Sequence, residues 1–297
     1  MNMTPLKYSA FCSLKTIDDL ECIEVKHPKF NAQICLQGAQ LTQFTHRDKG
    51  EFVWLSPSAQ YKQGQSLRGG VPICWPWFGV LDKNPASISE AVLSNKHAHG
   101  FARTQIWQLV KINESVHGVA LELELTSNPV TRAIWPYDFT LRCHFHLSDE
   151  LSIQLTTHNL SDSSFTYSQA LHTYLQVNNI NNVRISGAHQ HTYVDALDHW
   201  QSKQQDGHIQ IQQEVDRVYL GAIDYGFFDG KNTVSLISNS HSSVVWNPWI
   251  NKSKTLSQFP HTAYNTMLCI ENGNILNDAV TLKSHERHCL SMTLTKD

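Results

Sequence analysis

Leu141-Arg142-Cys143-His144-Phe145-His146-Leu147 and Leu151-Ser152-Ile153-Gln154-Leu155-Thr156, separated by Ser148-Asp149-Glu150, decide the fold class. In both runs apolar residues take every second position and mostly polar residues the others. Side chains of a strand alternate between its faces, so the pattern describes strands with one buried and one wetted side. The polar triplet between them predicts a hairpin. Upstream, Val119, Leu121, Leu123 and Leu125 alternate with Ala120, Glu122 and Glu124; near the C-terminus Leu290, Met292 and Leu294 alternate with Ser291 and Thr293. Shorter strand-like stretches lie at 32–36, 41–45, 52–55, 106–112, 166–177, 234–237, 244–246 and 266–270. No apolar series at i, i+3, i+4, i+7 lasts beyond two turns, so almost no helix is expected. Many short strands with frequent turn signals predict an all-β protein, a large antiparallel β-sandwich. No composition break, linker or fixed-period repeat interrupts the chain, and the reading is one domain, 1–297.

A chain of 297 residues is long enough for a large core: surface scaling gives roughly 12,700 Å² folded against about 49,000 Å² unfolded. Hydrophobic residues make up 41% and charged residues only 16%, against a usual charged share of ~25%, which excludes a disordered or coiled-coil chain. The net charge of −3 leaves no basic surplus for a nucleic-acid backbone. An anionic ligand would need a few local cations, because the overall field does not attract it.

Seven cysteines (Cys12, Cys22, Cys35, Cys74, Cys143, Cys269, Cys289) are odd in number, scattered and free of C-x-x-C. That is neither a disulfide framework nor a zinc pattern, so reduced thiols acting as small core residues are expected. Met1–Leu14 has no basic flank leading into a long apolar stretch. The longest apolar run, Val71–Leu81, is broken by Pro72, Pro76 and Gly79 and is too short for a bilayer. A cytoplasmic protein with no membrane partner is expected.

Ser66-Leu67-Arg68-Gly69-Gly70-Val71-Pro72-Ile73-Cys74-Trp75-Pro76-Trp77-Phe78-Gly79 is the densest chemical signal. Its glycines permit close backbone approach and its prolines rigidify the segment. Trp75, Trp77 and Phe78 either stack on a sugar ring or fill the core. Arg68 beside two glycines suits an anion fork. His97-Ala98-His99-Gly100-Phe101-Ala102-Arg103 carries one of three H-x-H pairs, with His144/His146 and His189/His191. None has an adjacent acidic ligand, and Cys143 beside His144 points to the opposite strand face, so no metal is expected. In the run 165–177, Phe165, Tyr167, Gln169, Leu171, Thr173 and Leu175 share one face, and Ser168, Ala170, His172 and Tyr174 the other. His172 is either a ligand-facing or a satisfied core histidine. In Met267-Leu268-Cys269-Ile270-Glu271-Asn272 a carboxylate ends an apolar strand, where it either meets solvent or serves a site. Asp216-Arg217-Val218-Tyr219 and Val245-Trp246-Asn247-Pro248-Trp249 put polar and aromatic groups at strand ends. No G-x-S-x-G, P-loop or post-strand G-x-G-x-x-G is present.

In their order along nearly the whole chain, these segments together resemble the aldose 1-epimerase (galactose mutarotase-like) superfamily, within it the glucose-6-phosphate 1-epimerase branch. The long segment Arg68–Gly79 is specific to that branch; the shorter motifs are His99–Arg103, Ala170–Tyr174, Asp216–Tyr219, Val245–Trp249 and Cys269–Glu271. The departures are Gln258–His261, where relatives often carry acidic residues, and the histidine-rich Gly187–His191. The resemblance implies a β-supersandwich with an open cleft, His172 as general acid and Glu271 as general base. It implies Arg68 and Arg103 as phosphate or substrate contacts, Asp216 as a sugar-hydroxyl contact, His99 as a cleft histidine and Trp249 as a sugar contact. No cofactor and no metal is implied, and the partner is a small sugar phosphate; a monomer is expected.

Those residue types fit anomer interconversion. The C1 hydroxyl loses a proton, the ring oxygen gains one, the ring opens to an aldehyde, C1–C2 rotates and the ring recloses. A carboxylate and an imidazolium suit the two transfers. Proximity would favour the charged pair, raising the His172 pKa and lowering that of Glu271. Two other readings stay open: an epimerase for an unphosphorylated sugar, and a non-catalytic carbohydrate-binding protein stacking sugar on Trp75, Trp77 and Trp249.

Overall fold

The computed structural model describes residues 4–94, 97–228 and 231–297. The diagnostic runs pair as an antiparallel hairpin in the register Leu147↔Leu151, Phe145↔Ile153 and Cys143↔Leu155, which sends every apolar side chain to one face. This hairpin lies inside an eight-stranded sheet whose spatial order is 184–186, 225–228, 233–238, 287–296, 151–159, 139–147, 119–126 and 108–114. A second eight-stranded sheet runs 201–204, 192–195, 215–220, 242–247, 267–274, 169–171 and 73–74, with 174–176 also paired to 267–274. Residues 12–51 add a five-stranded meander. Among the described residues every strand pair is antiparallel, and no α-helix exceeds five residues. No described helix is long and apolar enough to cross a membrane.

The two large sheets share one hydrophobic cluster with members from Cys12 to Leu294. Alternation along strand Met267–Asn274 shows how that core leaves a second face free. Leu268 and Ile270 enter the shared core, while Met267 and Cys269 join a smaller cluster on the sheet's opposite side. Glu271 takes that opposite face too. It does not end the strand, as the sequence suggested, because Asn272, Gly273 and Asn274 continue the ladder.

The run 165–177 breaks into Phe165–Tyr167, Gln169–Leu171 and Tyr174–Gln176. Its alternation survives: Phe165, Tyr167, Leu171 and Leu175 lie in the shared core, Ala170 and Tyr174 in the outer clusters. The stretch Phe52–Leu55 forms no strand and makes only the bridges Val53↔Leu175 and Leu55↔Gly69. One cysteine expectation is corrected. Cys22 and Cys35 oppose each other on neighbouring strands, their buried side chains face the same cluster as Leu20 and Leu67, and they form a disulfide. Sequence spacing gives no sign of that registry. The other five cysteines are free.

Trp75 is buried against Phe139 (4.5 Å between ring centroids), Trp135 (5.0 Å) and Phe101 (5.6 Å). It is therefore core and not a sugar platform. Trp75→Ala should lower stability by about 3–5 kcal/mol in denaturant unfolding, the usual cost of removing a buried aromatic ring; an unchanged midpoint would contradict this packing.

Candidate active site

The site is built from strand register. Leu171 pairs with Asn272 and Tyr174 with Cys269, so the intervening His172 stands across from Glu271. At the break, His172 N–H donates to the Pro72 carbonyl (3.0 Å) and Ile270 N–H to the Thr173 carbonyl (3.2 Å), which keeps the displaced segment in step. Two further strands extend the row: Val244 opposes Glu271, and Val218 opposes Val244. The next row along the outer face holds Asp216, Trp246, Cys269 and Tyr174.

His172 Nε2 lies 3.3 Å from Glu271 Oε1, with the carboxylate side chain 2% exposed. Glu271 Oε2 and His172 Nδ1 are buried without a hydrogen-bond partner among the described residues. The His172 ring stacks on Tyr174 with 4.8 Å between centroids and 5° between planes. Tyr174 stacks in turn on Trp54, and Arg68 Nη1 reaches its hydroxyl at 3.5 Å. The His99 ring lies 5.6 Å from that of His172, with 59° between their planes. His99 Nδ1 accepts the Gly79 N–H at 3.2 Å, which leaves Nε2 protonated and free to donate. Two glycines permit these close approaches. Gly70 (φ +65°) has the Leu41 carbonyl, and Gly100 (φ +67°) the Trp75 carbonyl, where a Cβ would stand.

The cleft has two lobes that meet at Arg68, Ala98, His99, His172 and Tyr174. The first, of about 290 Å³, holds Glu271 and Asp216 with Phe78, Trp200 and Trp246. The second, of about 450 Å³, holds Arg103 with Ser66, Thr104 and Gln258, and no described lining residue is a carboxylate. Arg103 Nη2 donates to the Ala98 carbonyl at 2.6 Å, and its Nε is buried without a partner. Among the described residues neither Arg68 nor Arg103 is paired with a carboxylate. Gln258 closes the rim: its side chain accepts from Gln60 N–H (2.9 Å) and donates to the Ser66 carbonyl (3.3 Å).

Electrostatics reverse one expectation. Burial pushes Glu271 well above the ordinary carboxylate range, aided by the negative charge of Asp216. Burial pushes His172 well below its ordinary value, and His99, Arg103 and Arg68 add to the shift. Both directions favour a neutral resting pair over the ion pair expected from proximity, with the desolvation of two charges opposing their attraction. Burial, with Arg103 and Arg68, lowers His99 to about 3. Burial, with Glu214 and Asp195, raises Asp216 to about 6.

His172, Glu271, Arg68, His99 and Asp216 come together in the cleft, with Arg103 in the second lobe. Trp249 does not. It sits past the strand end on the helix Trp249–Ser253, packed on Tyr264 at 5.2 Å. Trp246 lines the cleft instead, and the alternation of Val244 and Trp246 around core Val245 carried that signal. Trp200 and Lys83 also line it, and no sequence pattern marked them. Potential metal ligands of His172, Cys269 and Glu271 lie within 4.8 Å of one another. Burial raises both the Cys269 thiol and the Glu271 carboxyl, so a cation bound there would have to displace both protons.

Residues 21–295 match the family model described as aldose 1-epimerase. The chain belongs to the aldose 1-epimerase family. It is 34% identical over 267 residues to a provisionally named glucose-6-phosphate 1-epimerase of Escherichia coli (strain K12), covering 89% of this chain and 86% of that one. A like-named protein of Salmonella typhimurium (strain LT2) is 35% identical over 263 residues, covering 87% and 85%. A crystal structure of a provisionally named mutarotase from Salmonella typhimurium superposes with TM-score 0.88 at 32% identity, covering 97% of this chain and 94% of that one. A galactose 1-epimerase from Lactobacillus acidophilus shares the fold with TM-score 0.71 at 14% identity, covering 96% and 98%. As a member of this family the chain is an epimerase acting at the anomeric carbon.

Because folded Glu271 keeps its proton while the unfolded chain releases it above the ordinary carboxylate range, the wild type loses stability as pH rises through that window. The slope is about 1.4 kcal/mol per pH unit. Glu271→Gln lacks this loss. Its melting temperature should gain on the wild type between pH 5 and pH 8; a gap that stays constant would refute the neutral pair.

Proposed function

We propose that the protein interconverts the α and β anomers of hexose 6-phosphates, with glucose 6-phosphate the first substrate to test. One observation carries the reading: the order of groups along the cleft. In the sugar phosphate, C1 bears the reacting hydroxyl, the ring oxygen joins C1 to C5, and C5 bears C6 with its phosphate. The cleft presents Glu271 in the first lobe, His172 and Arg68 at the junction and Arg103 in the second. Base, acid and cations thus stand in the order C1 hydroxyl, ring oxygen, phosphate. Two guanidinium groups in a carboxylate-free lobe suit a phosphate dianion through charge-assisted hydrogen bonds.

Glu271 takes the C1 hydroxyl proton as His172 delivers one to the ring oxygen, and the C1–O5 bond breaks to give the aldehyde. After rotation about C1–C2 the steps reverse, and O5 attacks the other carbonyl face. A neutral Glu271–His172 pair and its ion pair contain the same single shared proton, so one transfer along Oε1···Nε2 converts the resting form into the reactive one. The names of the relatives from E. coli and S. typhimurium support the same substrate class.

The pH profile should be bell-shaped and wide, with macroscopic limbs belonging to the pair. With the shifts found here, the acid limb follows protonation of His172 and the alkaline limb deprotonation of Glu271. Glu271→Gln and His172→Asn should each lower kcat roughly 10²–10⁴-fold, and the double variant far less than the product. Time-resolved NMR of anomer exchange measures all three, and a folded Glu271→Gln enzyme working at the wild-type rate would sink the mechanism. Arg68→Ala and Arg103→Ala should raise KM for glucose 6-phosphate more than they lower kcat. Equal losses on free glucose would favour an epimerase of unphosphorylated sugars.

A further inference from the structure

Ring opening poses a retention problem. Once C1–O5 breaks, C1 must turn freely while the rest of the molecule stays in place, so the site must hold the sugar away from C1. The phosphate end is one such anchor on the reading above, on which this inference rests. With C1 at Glu271, O5 at His172 and C6 directed to the second lobe, C2 is the ring atom opposite C5, so the C2–C3 edge turns into the first lobe, away from the second.

Two side chains from separate segments meet in that first lobe. Lys83, at the end of the 3-10 turn Leu81–Lys83, places Nζ 5.0 Å from the centroid of the Trp200 indole. Both line the first lobe and neither lines the second. Each segment is braced. Asn84 Nδ2 donates to the Phe78 (2.9 Å) and Val80 (3.0 Å) carbonyls, and Ser168 Oγ donates to Asn84 Oδ1 at 2.5 Å. In the other segment, Trp200 ends the tip of the hairpin formed by Thr192–Asp195 and Gln201–Gln204. Trp200 N–H donates to the Asp195 carbonyl at 3.0 Å. Lys203 Nζ ties Asp195 (3.0 Å) to Asp198 (2.7 Å).

This bracing holds His199 and Trp200 both at positive φ, 51° and 60°. Consecutive non-glycine residues there are costly and persist where surrounding contacts enforce them. The outcome is an indole that packs, like Phe78 and Trp246, against the cluster that walls the lobe.

We propose that Trp200 and Lys83 form a clasp on the C2–C3 edge of the pyranose, retaining the open-chain intermediate while its aldehyde rotates. Trp200 supplies an apolar face for the sugar's C–H surface. Lys83 holds the indole by a cation–π contact and presents N–H donors to the hydroxyls at that edge. Trp200 is a positioning and specificity residue, and the proton transfers remain with Glu271 and His172.

The test measures anomer exchange of glucose 6-phosphate by wild type, Trp200→Ala, Trp200→Phe and Lys83→Met, with hydroxylamine present to trap free aldehyde. Inorganic phosphate serves as an inhibitor that probes the second lobe. Trp200→Ala should raise KM roughly two- to tenfold and Lys83→Met roughly two- to fivefold. Both should increase oxime formed per turnover, Trp200→Phe should recover most of the loss, and phosphate inhibition should stay constant. Lys83 is exposed, so its variant reports even where Trp200→Ala fails to fold. Unchanged KM and oxime yield in both variants of an active wild type would overturn the clasp alone. Weakened phosphate inhibition in Lys83→Met would make Lys83 a phosphate ligand and overturn it too. A wild type that does not exchange the anomers of glucose 6-phosphate would overturn the functional reading and the clasp with it.

Discussion

The register between Gln169–Gln176 and Met267–Asn274 is the constraint on which the site depends. A one-residue slip would send Glu271 into the hydrocarbon core and bring Ile270 or Asn272 outward. The hydrophobic pattern resists that slip on both sides, because Leu268 and Ile270 on one strand and Leu171 and Leu175 on the other must enter the same core. Packing between the sheets therefore fixes, as a by-product, which carboxylate faces which imidazole. Interrupted pairing at His172–Thr173 frees the imidazole from a regular ladder without losing step.

Placing that pair on a buried face sets its chemistry. In water a carboxylate and an imidazole side by side would share charge, one negative and one positive. Here desolvation penalises both ions, and Arg68 and Arg103 add a further cost to an imidazolium while Asp216 adds one to a carboxylate. The neutral form costs less, and it keeps one proton within the pair. A dry site of this kind strengthens each electrostatic contact made to a bound anion.

Charge separation between the lobes follows from loops and strand edges, not from net charge. The strands that floor the first lobe bring Asp216 and Glu271; the segments around Ser66–Arg68 and Ala98–Thr104 bring guanidinium groups and no acid. A chain of net charge −3 thus contains a local cationic basin. Gly70 and Gly100 let the segments carrying Arg68 and His99 pack closely on the backbone at Leu41 and Trp75, and both side chains line the junction of the lobes.

Much was legible in the residues alone. Period-2 alternation in 119–125, 141–155 and 290–294 settles an antiparallel β fold, because a one-face apolar pattern needs a partner sheet. Faces within 165–177 were readable for the same reason, and the motifs around Arg68, His99, His172, Asp216 and Glu271 were recognisable by residue type and order. What lay beyond reach depends on contacts distant in sequence. The Cys22–Cys35 bond needs the pairing of two strands, the substitution of Trp246 for Trp249 needs the point where a strand ends, and the neutral state of Glu271 needs its burial. Trp200 meets Lys83 only because two segments distant in sequence line one lobe of the cleft. Local alternation is written into neighbouring residues and fixes which side chains face inward; distance, desolvation and strand endings are properties of the assembled sheets, and only the tertiary structure decides them.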